Sequence, residues 1–171
     1  MPNNPLASPA REEQIRAVET FAEIEMFEKK IKYKEHTYLN TDAVGGTEVA
    51  EVLGEDANKV FKTLVTVGKT GNHYVFLVPV NKELNLKKAA KAVGEKKIEM
   101  IKSKELLPLT GYIHGGCSPI GMKKFFKTTI HQTAADFDTI MFSGGKIGYQ
   151  VETSVNDLKK VIRFELADIA D

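Results

Sequence analysis

Few side chains in this chain are of a kind that does covalent chemistry. The single thiol is Cys117, and the histidines are His36, His73, His114 and His131. No pair has the C-x-x-C or H-x-x-x-H spacing that turns two ligands toward one metal. No metal centre is therefore expected, and no cofactor. Cys117 follows His114 by three residues. A thiol nucleophile needs a base and positive surroundings to shed its proton. A turn need not bring this pair together, so a structural thiol is the competing reading. Ser, His and Asp do not fall into the order of an acyl-transfer triad, and the phosphate-binding and dinucleotide-binding glycine fingerprints are missing.

Two features remain. Lys62 sits inside the apolar run KVFKTLV, sharing a face with Val60 and Leu64 if the run is a strand. A lysine there is costly unless its ammonium reaches solvent or an anion. It reads either as a guard on an edge strand or as a cation at the floor of a cleft, facing a phosphate or a carbonyl. The second feature is the loop GGCSPIG, residues 115–121. Three glycines and a proline in seven residues define a tight backbone. Paired glycines let main chain approach a ligand and can aim N–H groups together as an anion nest. A purely structural turn would look the same.

The elements that must hold these residues follow from periodicity and punctuation. Residues 1–10 hold three prolines and little apolar content and read as a disordered tail. Apolar residues recur at three- and four-residue steps from Arg11 to about Lys30, an amphipathic helix with a break near Thr20. IKYKEHTYL alternates as a first strand, and Thr47 can cap a short helix ending at Gly54. KVFKTLVTV and HYVFLVPV form a hairpin, with Pro79 confining its end to an edge or a bulge. Asn85 opens the helix LKKAAKAV, closed by Gly94. Ile98 to Ile101 reads as a short strand. Ser103 caps a turn that Pro108 stops. Lys127 to His131, Thr139 to Phe142 and Ile147 to Glu152 read as strands. Thr133 caps a single turn, Ser154 caps a last helix, and RFELADIAD adds one short element. Strands outnumber helices and several connections are hairpin-short. The class is therefore α+β with a curved, mixed sheet.

At 171 residues the chain is one domain long, and it is large enough to bury a core without staples. The apolar fraction of 42% and charged fraction of 27% disfavour disorder and fibrous classes. One cysteine excludes an internal disulfide and suits a reducing compartment. No apolar stretch approaches the roughly 20 residues of a membrane span. The opening MPNNPLASPAREE lacks a basic region followed by an apolar core. The expected location is the cytoplasm. Net charge is only +1, but it is unevenly spread. Residues 82–127 hold eleven lysines against four acids, whereas residues 11–28 hold two arginines against six glutamates. Such a basic middle raises the odds of a polyanionic partner; lysines that merely solvate exposed faces would give the same count.

Four runs then become specific: KVFKTL, LNLKKAAKAVGEKKIEM, TGYIHGGCSPIGMKK and SGGKIGYQVE, in this order. Together they closely resemble the YbaK family of aminoacyl-tRNA deacylases, which is similar to the editing domain inserted in bacterial prolyl-tRNA synthetases. The resemblance runs from about Phe21 to the C-terminus. It implies an N-terminal extension over 1–19 and a deacylase domain over 20–171. The implied fold is a single α+β domain whose curved mixed sheet is flanked by helices. The implied reaction is hydrolysis of the ester between a wrong amino acid and tRNA, in trans. Cys-tRNA(Pro) is the leading substrate and Ala-tRNA(Pro) or another small residue the alternative; a tRNA- or synthetase-docking module without activity is the reading from another class. Mischarged tRNA(Pro) is the implied partner, with prolyl-tRNA synthetase as a further candidate. The resemblance places the family's lysine at Lys62, the paired glycines at Gly115 and Gly116, and substrate contacts at Tyr38, Ser118 and Ser143. Gln150 stands where some members carry an aspartate, so a carboxylate role is lost there while an amide contact to substrate remains. The absence of a triad points to electrostatic stabilisation, with Lys62 and the glycine N–H groups meeting the negative charge.

Overall fold

The computed structural model describes residues 20–38 and 45–171. The tail and helix expected before Thr20, and the end of the first strand at Leu39, lie outside the described residues.

Helix α1 spans Phe21–Glu28. Its start is a capping box: the Thr20 hydroxyl accepts from the Glu23 N–H at 3.1 Å, and the Glu23 carboxylate accepts from the Thr20 N–H at 3.1 Å. The same hydroxyl donates to Gly144 O at 2.6 Å, so the cap also fixes the helix to a distant turn. Strand β1 is Lys34–Thr37, and helix α2 is Gly46–Val52. Gly45 is the N-cap of α2, without a side-chain bond, and Thr47 lies inside the helix rather than capping it. Strands β2 (Phe61–Gly68) and β3 (His73–Pro79) form the expected hairpin. Helix α3 is Leu86–Val93. Asn85 accepts from the N–H groups of Lys87 and Lys88, and Gly94 closes the helix at φ +76°. Strand β4 is Ile98–Met100 and helix α4 is Ser103–Thr110.

Pro108 does not stop α4. The helix continues to Thr110 because Thr110 Oγ1 and the Gly111 N–H bond the carbonyls of Leu106 and Leu107, and Gly111 takes φ +86°. Ser103 is the first residue of α4, and its N-cap is Lys102. Strand β5 is Lys127–His131, followed by a 3-10 turn over Gln132–Asp136 that no side chain caps. Strands β6 (Ile140–Ser143) and β7 (Tyr149–Thr153), helix α5 (Val155–Leu158, capped by Ser154) and strand β8 (Glu165–Ala167) complete the chain.

The strands form two sheets. One has the order β1-β7-β6, all antiparallel; the other has the order β4-β2-β3-β5-β8, with β3, β5 and β8 mutually parallel. A bridge between Val60 and Met141 joins them, with the Met141 N–H donating to Lys59 O at 2.9 Å. Strand β3 is central and buried on both faces, which explains its unbroken apolar run. Pro79 is therefore not at a sheet edge. It falls after the last β3–β5 pair, Leu77 with Ile130, so its missing N–H removes no ladder bond.

Phe61, Leu77, Ile120, Ile130 and Phe142 meet in the main core, and Phe76, Val78, Ala89 and Ile169 in a second beneath α3. Burying each such side chain contributes roughly 2 kcal/mol. Among the described residues, no helix is long and apolar enough to cross a membrane.

Candidate active site

Strand β2 pairs β3 along one edge. Along its other edge it touches β6 through Val60 and β4 through residues 66–68. Between those contacts, residues 62–64 have no strand neighbour on that side among the described residues, and with Phe61 and Val65 they line a cleft of about 290 Å³. This volume lies at the low end for ligand pockets and suits a group the size of one amino acid. The site is thus a gap in the sheet. Tyr38, Ser143 and Gln150 line it from the small sheet, Lys102 and Ser103 from the start of α4, and His114, Gly115 and Cys117 from the glycine loop.

Lys62 reaches the cleft, and its Nζ lies 3.4 Å from Glu83 Oε1. The Glu83 side chain is 88% exposed and that of Lys62 27%, so the pair is weak and the ammonium is free to turn to a stronger anion. β2 is an interior strand whose one open segment carries Lys62, so the lysine stands at the wall of the cleft and not along an exposed sheet edge. Cys117 lines the cleft, but burial pushes its thiol up to about 12 against the opposing hydrogen bond with Thr110. It stays protonated at neutral pH, the reverse of an activated nucleophile.

The glycine loop divides the expected roles. Gly115 faces the cleft at φ +85°, and its N–H has no hydrogen-bond partner among the described residues. The Gly116 N–H is committed to Ile113 O at 3.0 Å, so it is not the carbonyl donor expected from the sequence. A Cβ on Gly116 would stand 2.9 Å from Lys146 Cα; this glycine lets the loop pack on the turn between β6 and β7. Ser118 is fully buried, does not line the cleft, and accepts from the Ile120 N–H at 3.2 Å. The Tyr112 hydroxyl holds the far end of the loop by donating to Ile120 O at 2.6 Å.

Gln150 is 7% exposed, and its Oε1 has no partner among the described residues. Thr63, which sequence reasoning passed over, also has a buried hydroxyl without a partner among them. An unmet buried polar group costs about 1–3 kcal/mol, and two of them beside one cleft point to a ligand that meets them. Thr63 sits inside the run KVFKTL without a signal of its own, and Lys102 and Ser103 lie outside all four runs. Only strand pairing and the placement of α4 bring them to the site.

A second polar cluster lies outside the cleft lining. His36, Glu55 and Glu152 bring ligand atoms within 4.8 Å of one another. Their shared space already holds a cation: Lys59 Nζ is 3.0 Å from Glu152 Oε2 and 3.6 Å from Glu55 Oε2. His36 Nε2 lies 2.8 Å from Glu152 Oε1, and Thr139 donates to the same carboxylate. Burial would raise the Glu152 carboxyl, but hydrogen bonds from Thr139, Lys59 and His36 outweigh it and hold it at about 2. The cluster is an ion-pair network tying β1, the start of β2 and β7.

Comparison with known proteins follows the same lines. The sequence model of the aminoacyl-tRNA editing domain matches residues 42–161. The chain is 44% identical, over 82% of its length and 86% of the relative's, to an Enterococcus faecalis protein named as a Cys-tRNA(Pro)/Cys-tRNA(Cys) deacylase. It is 31% identical over 101 residues to a proline–tRNA ligase of Thermosipho melanesiensis, of which it spans 17%. A crystal structure described as a trans-editing enzyme for prolyl-tRNA synthetase superposes with a TM-score of 0.75 at 23% identity, covering 96% of this chain and 98% of that one. A hypothetical protein superposes at 0.80 with 20% identity, covering 88% and 99%. These structures establish the shared fold.

Proposed function

The chain belongs to the aminoacyl-tRNA editing-domain family, and from that premise we propose that it is a free-standing deacylase whose substrate is Cys-tRNA(Pro). The observation that carries this reading is the joint placement of Lys62 and the unpaired Gly115 N–H on one amino-acid-sized cleft, beside a thiol held neutral. Catalysis is then electrostatic. The Gly115 amide meets charge developing on the ester carbonyl oxygen. Lys62 neutralises that charge or the terminal phosphate. Tyr38, Ser143 and Gln150 enclose the amino acid. The attacking group is water or, for a cysteinyl ester, the substrate's own thiol. In that case the carbon–sulfur bond forms, the bond to the ribose oxygen breaks, and that oxygen takes the thiol proton.

Residues 20–171 form the deacylase unit in this reading, with 1–19 as an extension, and the reaction belongs with the cytoplasmic tRNA pool. Most of the lysines over residues 82–127 are exposed and supply phosphate contacts that do not depend on sequence. The likeness to proline–tRNA ligases supports prolyl-tRNA synthetase as a partner. The test is a deacylation panel of Cys-, Ala-, Ser- and Pro-tRNA(Pro) with Cys-tRNA(Cys). Fastest turnover of Cys-tRNA(Pro) is expected. Fastest turnover of Ala-tRNA(Pro) moves the reading to an alanyl editor, and tRNA binding without any turnover reduces the protein to a binding module.

A further inference from the structure

The open stretch of β2 has a backbone as well as side chains. In an antiparallel pair, alternate residues aim both backbone polar groups at the partner and the others aim them away. Val80 donates to Val60 O at 2.8 Å, and Gly68 donates to Asn72 O at 2.8 Å, so the even-numbered residues of β2 face β3. Ile101 donates to Val65 O at 3.3 Å, and Lys69 donates to Lys97 O at 3.0 Å, so the odd-numbered residues face the opposite edge. Thr63 is the odd-numbered residue at the middle of the gap. Its N–H and C=O therefore point into the cleft, and neither has a partner among the described residues. Its hydroxyl is the third unmet polar group of the same residue.

We propose that Thr63 binds the aminoacyl group as a strand residue binds its antiparallel neighbour. Its N–H donates to the ester carbonyl oxygen, and its C=O accepts from the α-ammonium. An α-amino acid ester carries nitrogen, α-carbon and carbonyl in the order of one strand residue, so it can exchange both bonds with Thr63. Residues paired in this way put their side chains on the same face, side by side. The amino acid's side chain then stands next to the unpartnered Thr63 hydroxyl, which favours a small neutral group such as a thiol. The open edge thus selects an α-aminoacyl ester with a free ammonium, and Thr63 N–H supplies the second carbonyl donor that Gly116 does not. This inference rests on the deacylase reading and deepens it.

The test uses the full chain with the peptide link between Lys62 and Thr63 replaced by an ester, which removes the Thr63 N–H and weakens the Lys62 C=O as an acceptor from β3. The N–H serves no ladder bond and the weakened carbonyl keeps its own, so the melting temperature is expected to fall only slightly and to stay above the assay temperature. Deacylation of Cys-tRNA(Pro) is expected to slow at least about tenfold at unchanged KM. A rate within about twofold of the unmodified protein overturns the donor. A second arm needs no variant: tRNA(Pro) charged with 3-mercaptopropionate keeps the thiol and lacks the α-ammonium. The unmodified protein should cleave it at least about tenfold more slowly than Cys-tRNA(Pro), after correction for the two esters' spontaneous hydrolysis. Equal rates overturn the acceptor. Thr63→Val should lower the preference for cysteinyl over alanyl ester, and an unchanged preference overturns the side-chain contact. If the unmodified protein cleaves no aminoacyl-tRNA of the panel, the deacylase reading fails instead, so the two failures are told apart.

Discussion

The side chains of Lys62 and Thr63 leave β2 on opposite faces, yet both line one cleft. Neighbouring residues of a strand do this only where the strand's edge is the wall, since successive side chains point to opposite faces of a sheet. The gap between β6 and β4 provides that edge. A charged side chain and an unpaired backbone thus meet one ligand from consecutive residues.

Removing the charge tests the first of these. Lys62→Ala is expected to lower deacylation of Cys-tRNA(Pro) at least about tenfold, about 1.4 kcal/mol of transition-state stabilisation. The melting temperature should barely move, because its ion partner among the described residues, Glu83, is solvent-exposed. Single-turnover rates and thermal unfolding, measured on the same sample, check both halves. Full activity in the variant would remove Lys62 from the reaction.

The two loop glycines should separate. Gly115→Ala meets only ordinary contact with Ile147, but φ +85° strains an alanine by about 1 kcal/mol or more. Turnover should fall more than tRNA affinity does. Gly116→Ala drives its Cβ to 2.9 Å from the Lys146 Cα, a backbone atom that cannot rotate away. It should lower the melting temperature further than Gly115→Ala. The reverse order of melting temperatures would place the tighter packing at Gly115.

Affinity for tRNA is expected to fall steeply with salt, because lysines that neutralise phosphates release counterions. A plot of log K against log [salt] should have a slope of several units if several phosphates are met. A flat plot would assign the basic stretch to solvation alone.

The Glu152 network sets an acid limit. Its carboxyl is held at about 2 in the folded protein, below its value near 4.3 when unfolded. The folded state therefore favours the charged form. The contribution is complete above about pH 4.5 and is lost as pH falls toward 2. Glu152→Gln leaves Lys59 without its closest anion and should destabilise by about 3 kcal/mol at pH 7. Unfolding curves of wild type and variant should converge as pH approaches 2. A constant gap across that range would show that the charge is not the cause.

Local elements were legible because their signals are local. Asn85 and Gly94 bound α3 as read, since capping uses groups within a turn of the helix end. Thr47 and Pro108 misled: a cap needs the chain to enter at the right residue, and a late proline is tolerated where other groups hold the final carbonyls. The four runs identified the family, the resemblance brought Lys62, Gly115, Tyr38, Ser143 and Gln150 forward, and all five line the cleft. Gly116 and Ser118 were read from the same motif and turn out to hold the loop together.

The sequence by itself determined residue chemistry and local backbone choice: a lone lysine in an apolar strand, glycines where φ is positive, one thiol and no triad. Tertiary structure alone decided which groups remain unsatisfied. Whether the Thr63 amide, the Gly116 amide or the Cys117 thiol is available depends on what lies opposite it, and those partners are Ile113 for Gly116, burial for Cys117 and an empty strand position for Thr63. Hydrogen bonding and desolvation act over a few ångströms of space irrespective of distance along the chain, so the reactive edge of β2 exists only once β6 and β4 have docked on either side of it.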